Sequence, residues 1–192
     1  MSHATLAHPV LADRIPRTLV RDAALVVGLA ALTALLAQVR VPVPFSPVPI
    51  TGQTFAVLLG AAALGPLRAV TAQGLYVLVG LAGLPVFSGW AGGVEAVLGV
   101  TGGYLVGFVV ASLVVGALAR RGLDRRPIGM LVAFAAGTAT IYAVAVPWLA
   151  IVTGAGALGA LWQGAGVFLV GDAVKAALAA GLLPAAWRLA ER

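Results

Sequence analysis

The chain has 192 residues, 61% of them hydrophobic and 9% charged, with a formal net charge of +6 and a mean hydropathy of +1.08. Soluble domains are about half apolar and a quarter charged, so the composition excludes a soluble globular fold and points to a membrane protein. Cysteine is absent, which removes disulfides, thiol chemistry and cysteine-ligated metals together.

In hydrocarbon every backbone polar group must be satisfied within the chain, leaving helix bundles or closed barrels. The apolar runs here are long and do not alternate, which selects helices. The reading is an all-α integral membrane protein with six transmembrane helices and both termini cytoplasmic, divided into an N-terminal arm over residues 1–20 and a membrane domain over 21–192. The arm lacks a basic region followed by a compact apolar stretch and cleavage site, so it is not a signal peptide. It carries His3 and His8, and no imidazole occurs elsewhere in the chain, so no metal site is expected.

The first span runs from Ala23 to Val39. The proline-rich segment VPVPFSPVPITG from Val41 to Gly52 follows, stiffened by its prolines into an extended shape that suits a lid. Thr54 to Leu64 is a short second span ending at Gly65-Pro66, and Leu67 to Leu84 follows almost at once, so the pair reads as a helical hairpin. Pro85 to Val100 is glycine-rich and irregular, Thr101 to Ala119 is the fourth span, and RRGLDRRP is a polar break. The fifth span runs from Ile128 to about Val152, with a kink expected at Pro147. The sixth runs from about Leu161 to Leu183.

Charge placement tests this topology, because short cytoplasmic loops collect Lys and Arg. With the N-terminus inside, Arg14, Arg17, Arg21, Arg68, Arg120, Arg121, Arg125, Arg126, Arg188 and Arg192 all fall on the cytoplasmic side, Arg40 falls outside, and Lys175 lies within the membrane. The positive charge is therefore topology, and no nucleic-acid partner is implied. Walker, dinucleotide-binding and metalloprotease motifs are absent, and no histidine lies in the membrane region to activate a serine. Neither a catalytic role nor a cofactor is expected, and uphill transport would need an ion gradient or partner subunits that hydrolyse ATP.

Asp172 and Lys175 are the acid and base of the sixth span. Charges at bilayer depth cost several kcal/mol unless partnered or wetted, and a spacing of three puts both on one helix face. Thr51, Gln53 and Thr54 at the start of the second span, and Glu95 in the glycine-rich segment, fall on the same outer side. Phe45, Phe87, Trp90 and Tyr104 can supply apolar walls, completing the composition of a small-molecule pocket. Plainer roles exist for each: mutual neutralisation for Asp172 and Lys175, helix capping for Thr51 and Gln53, solvation for Glu95, and an interfacial belt for the aromatics. In the first span, Ala24 with Gly28, Ala30 with Ala34 and Thr33 with Ala37 give the small-xxx-small spacing that lets helices approach closely.

The runs VPVPFSPVPITGQTFAVLLGAAALGP, GLAGLPVFSGWAGG, TGGYLVGF and GDAVK closely resemble the BioY family, the biotin-specific substrate-capture (S) components of energy-coupling factor (ECF) transporters. The resemblance extends from about Asp22 to the C-terminus and does not cover the arm. It implies a six-helix protein of the bacterial cytoplasmic membrane, embedded in lipid, that binds biotin from outside in a pocket under the loop between the first two helices. It implies that Asp172 and Lys175 belong to the biotin site, that the first helix docks through Ala24, Gly28, Ala30 and Ala34 on a transmembrane coupling subunit, and that uptake draws on a pair of ATPases. Biotin offers two ureido N–H donors, a carbonyl acceptor and a carboxylate, separated by an apolar body. Asp172 suits the ureido N–H groups. Lys175, on its flexible stem, suits the carboxylate, or it orients Asp172 while loop backbone N–H groups take the carboxylate. Two other functions remain open from the residues themselves: a secondary transporter or facilitator of another small carboxylic acid, and a membrane scaffold that transports nothing.

Overall fold

A computed structural model of the chain describes residues 8–191. The start of the expected arm, His3 included, lies outside the described residues. Within them the fold is helical apart from one short ribbon.

Helix α1 (Leu19–Gln38) begins where Thr18 accepts a hydrogen bond from the backbone N–H of Arg21 at 3.1 Å, an N-cap of the usual kind. The proline-rich loop is closed by antiparallel strands β1 (Arg40–Val41) and β2 (Ile50–Thr51), with Arg40 opposite Thr51. Pro42, Pro44, Pro47 and Pro49 have no N–H to give a ladder, so pairing is confined to the ends of the segment. Helices α2 (Gln53–Leu64) and α3 (Pro66–Leu81) are separated by Gly65 alone. Gly65 adopts φ +82°, a conformation glycine accepts without penalty, and Pro66 starts the next helix where its missing N–H is harmless.

The glycine-rich segment holds a short helix α4 (Val94–Leu98) and a single bridge between Phe87 and Ala91. Helix α5 (Gly102–Ala119) is the most buried of the bundle and packs against α2, α3 and helix α6 (Pro127–Thr153), which contains Pro147. Missing side chains make that packing possible. A Cβ at Gly103 would come 2.5 Å from Trp148, and one at Gly116 would come 2.4 Å from the backbone nitrogen of Pro66.

The sixth predicted span is broken. Helix α7 (Ala157–Gly164) ends at Ala165, a 3-10 turn covers Gly166–Phe168, and helix α8 (Leu169–Ala190) follows. The break carries no charge, and Gln163 is the one strongly polar residue beside it, so a hydropathy average runs through it. Asp172 therefore lies in the first turn of α8, where the helix dipole favours an anion, and not in mid-helix as the sequence suggested.

Among the described residues, four helical stretches are long and apolar enough to cross a membrane: Leu19–Gln38, Gly102–Ala119, Pro127–Thr153 and Ala157–Ala190. Leu19, Ile151, Leu158 and Val170 are each 80% or more exposed on the bundle exterior, and apolar patches on that scale mark contact with lipid rather than water. Helix α2 has 12 residues, about 18 Å of rise, against a hydrocarbon core of about 30 Å. Its start falls short of one face, and the proline-rich loop and a cavity occupy the space above it.

At the opposite end of the bundle the arm is tied down. Val10 is fully buried, and Asp13 meets Arg68 at 3.0 Å, Arg120 at 2.8 Å and Arg17 at 3.7 Å. Arg68 also pairs with Asp22 at 3.0 Å. Nearby, Trp187 near the end of α8 donates its indole N–H to buried Asp124 at 2.6 Å, while Arg14 and Arg125 both stack on its ring and pair with Glu191.

Candidate functional site

A cavity lies above α2, and its lining is mostly apolar with a few convergent polar groups, the composition of a small-molecule site. Its floor comes from the first turns of α2 and α8, its walls from α5 and α6, and its cover from Val48–Thr51 of the loop. Apolar sides are supplied by Leu105, Phe108, Phe87 and Phe168.

The polar groups form two chains. In the first, Tyr142 of α6 donates its hydroxyl to Asp172 Oδ2, and the Lys175 ammonium donates to Asp172 Oδ1 at 3.3 Å and to Thr54 Oγ1 at 2.7 Å. This joins α6, α8 and α2 through one carboxylate and one ammonium. A carboxylate has about four lone-pair positions and an ammonium three donors, so Asp172 and Lys175 both keep capacity for a ligand. In the second chain Thr51 donates to Gln53 Oε1 at 2.9 Å, Gln53 Nε2 donates to the Tyr76 hydroxyl at 2.8 Å, and that hydroxyl donates to the Val86 carbonyl at 3.2 Å. Here the amide of Gln53 is engaged at both ends, which fixes the start of α2 against α3.

Two walls are positioned by backbone contacts. Tyr104 donates to the Gly164 carbonyl at 2.6 Å, taking up the carbonyl at the end of α7, and lies edge-on to Phe168. Phe87 lies edge-on to Tyr76 with ring centroids 5.3 Å apart. Phe87 fits there because Gly80 has no side chain: a Cβ at that position would come 2.1 Å from the Phe87 ring.

The cavity thus brings together Thr51, Gln53, Phe87, Tyr104, Asp172 and Lys175 of the residues singled out by sequence. Phe45 is 70% exposed beside Trp162, on the outer surface of the loop. Trp90 is 68% exposed and faces a different groove, between α1 and α3. Glu95 is exposed on α4 and does not line the cavity. Of the small residues on α1, Ala24 and Gly28 are exposed, whereas Ala30 is buried and Ala34 half-buried toward α3.

Sequence reasoning missed Tyr142 and Ser88. Tyr142 is the one tyrosine of the fifth span, and a buried phenol needs a partner, a signal that was available. The Ser88 hydroxyl is buried, lines the cavity and has no hydrogen-bond partner among the described residues. Nothing in its local sequence marks it.

The chain matches the BioY family over residues 4–192. It is 36% identical over 162 residues to the "Probable biotin transporter BioY" of Pyrococcus horikoshii, covering 83% of this chain and 91% of that protein. It is 35% identical over 143 residues to the "Biotin transporter BioY" of Rhizobium etli, covering 71% of this chain and 76% of that protein. A crystal structure described as the S-component for biotin from an ECF-type ABC transporter superposes with a TM-score of 0.80 over 92% of this chain and 96% of its own, at 24% identity, a likeness of fold. With the family matched from residue 4 to the C-terminus and relatives above 30% identity over most of the chain, this multi-pass membrane protein is a member of the BioY family.

Proposed function

We propose that the chain captures biotin in the cavity under the proline-rich loop and serves its uptake as the substrate-binding component of an ECF transporter. In this reading residues 21–192 cross the bacterial cytoplasmic membrane six times, counting α2 and α3 as crossings, with the arm and C-terminus cytoplasmic and the cavity facing out. Its partners are biotin, the surrounding lipid, a transmembrane coupling subunit and ATPases. The observation that carries the reading is the Asp172–Lys175–Thr54–Tyr142 cluster, a partnered but unsaturated ion pair in an apolar cavity, in a chain whose family relatives are named biotin transporters. Orientation is supported by the charge distribution: Arg14, Arg17, Arg68, Arg120 and Arg125 share ion pairs at the end away from the cavity.

Within the cavity Asp172 accepts the ureido N–H groups, the remaining donor of Lys175 pairs with the carboxylate, and the Ser88 hydroxyl is a further polar contact. Phe87 and Tyr104 flank the bicyclic body, and Thr51 and Gln53 hold the floor. Glu95 and Phe45 act around the mouth rather than within it, whereas Trp90 faces the separate groove between α1 and α3. Docking on the coupling subunit falls to the exposed face of α1 at Ala24 and Gly28, with Ala30 and Ala34 setting the approach of α1 to α3 behind it.

Calorimetry of purified protein with biotin and with biotin amide, for wild type and Lys175→Ala, tests both capture and the lysine's role. Tight wild-type binding of biotin is expected. If Lys175 pairs with the carboxylate, removing either partner costs affinity and removing both costs little more, a non-additive cycle. Absence of biotin binding by folded wild type would refute the reading, and additive losses would reassign the lysine to orienting Asp172.

A further inference from the structure

Trp90 is held in an unfavourable backbone conformation, φ +61°, an outlier for a bulky residue. Its N–H is fixed by Gln38 Oε1 at 3.0 Å, and Gln38 in turn donates to the carbonyls of Phe87 and Ala34 at 3.1 Å each. The biotin cavity does not use this tryptophan. The end of α1 instead clamps it at the head of an open groove between α1 and α3, floored by Ala30 and Ala34 and walled by Val27, Leu35, Val79 and Val86, with about 880 Å³ of empty space including its opening.

The polar groups at the groove's edge are closed off. The Gln38 amide is engaged at both ends, and the Tyr76 hydroxyl is bonded to Gln53 and Val86. Little is left to hydrogen-bond a partner helix. From Val27 to Gln38 the groove follows α1 for about 16 Å, which is one leaflet of a hydrocarbon core about 30 Å thick. At its head, beyond Trp90, the Arg40 guanidinium lies against Gly89, where a Cβ would come 2.2 Å from it. Arg40 is exposed and has no ion-pair partner among the described residues. A leaflet-long apolar slot ends at an interfacial indole and an unpaired cation that can bind a phosphate bidentately.

We propose that this groove binds one acyl chain of an anionic phospholipid, with Arg40 on its phosphate and Trp90 at the junction of headgroup and chain. The lipid belongs to the leaflet on the cavity side. Naming that leaflet the outer one rests on the topology proposed above, whereas the site itself does not.

The test is native mass spectrometry of detergent-purified protein after addition of phosphatidylglycerol or phosphatidylcholine, with helicity measured by circular dichroism. Wild type is expected to retain one phosphatidylglycerol per chain in preference to phosphatidylcholine. Ala34→Phe, which fills the floor, should cut the retained fraction by about 10-fold or more, and Arg40→Gln should equalise the two lipids. Ala31→Phe, at an exposed position on the groove wall, repeats the blocking test if Ala34→Phe does not fold. No lipid on wild type, unchanged retention in folded blocked variants, or a second copy of the chain in place of lipid would overturn the site. Lipid is counted without biotin present, so failure of the biotin reading leaves this result intact.

Discussion

The two ends of α8 hold the charged groups of this protein in opposite ways. At its start Asp172 and Lys175 line a cavity, paired with each other and with Tyr142 and Thr54, yet with bonding capacity to spare. About 28 Å away along the helix, Arg125 and Arg14 pair with Glu191 and stack on Trp187, which donates to Asp124. Charge density alone would place function at the arginine-rich end. The difference lies in what surrounds the charges: Asp172 and Lys175 open onto a cavity lined by further polar groups, whereas the charges at the far end meet one another and the Trp187 ring.

Substitutions that break one end should spare the other. The largest expected effect is on binding: Asp172→Asn removes the charge that Lys175 and Tyr142 converge on, and biotin affinity should fall by 100-fold or more, about 3 kcal/mol, while calorimetry finds the thermal transition close to wild type. Retained affinity would detach the cluster from biotin.

Next is stability at the other end. Asp13→Asn takes the shared carboxylate from Arg68, Arg120 and Arg17, at an expected cost of about 2 kcal/mol with biotin affinity unchanged. The pH dependence has a definite sign. Burial alone would raise the pKa of Asp13, but the hydrogen bonds from Arg68 and Val10 and the charges of Arg120 and Arg68 outweigh it and hold it below 3.8. Its contribution is present above that value and lost as pH falls through the folded pKa. Asp124 runs the other way: burial raises its pKa above 3.8, against the opposing Trp187 hydrogen bond, so its contribution is greatest at low pH and declines as pH rises through the raised value. Unfolding scans across that range should show the two slopes, the first abolished by Asp13→Asn and the second by Asp124→Asn.

Gly80→Ala is a smaller and more discriminating change. Its methyl group would displace buried Phe87, and through it one cavity wall, so biotin binding should weaken several-fold, with some loss of stability from overpacking. The smallest effect is expected for Glu95→Gln, whose side chain lies off the cavity; an affinity change above about 3-fold would bring α4 into the site.

Much of this was legible in the sequence because lipid imposes simple demands. Apolar length marked α1, α5 and α6, Gly65-Pro66 marked the turn between α2 and α3, and the rarity of charge at depth drew attention to Asp172 and Lys175. The aromatic residues were harder. Phe45, Phe87, Trp90 and Tyr104 are all large aromatics in glycine- and proline-rich surroundings, yet of the four only Phe87 and Tyr104 line the cavity. Their direction is set by partners on other elements, Gly80 and Tyr76 of α3 for Phe87, Gly164 for Tyr104 and Gln38 for Trp90.

By itself the sequence determined the solvent, the helical class, the turn at Gly65-Pro66 and the identity of the intramembrane charges, since each follows from local composition and the cost of unsatisfied polar groups in hydrocarbon. Tertiary structure alone decided that α7 and α8 are separate, that Tyr142 and Thr54 complete the Asp172–Lys175 cluster, that Ser88 is left unbonded beside the cavity, and that residues 8–14 clamp the opposite end. Those features depend on which side chains meet across helices far apart in the chain, and hydropathy carries no record of such meetings.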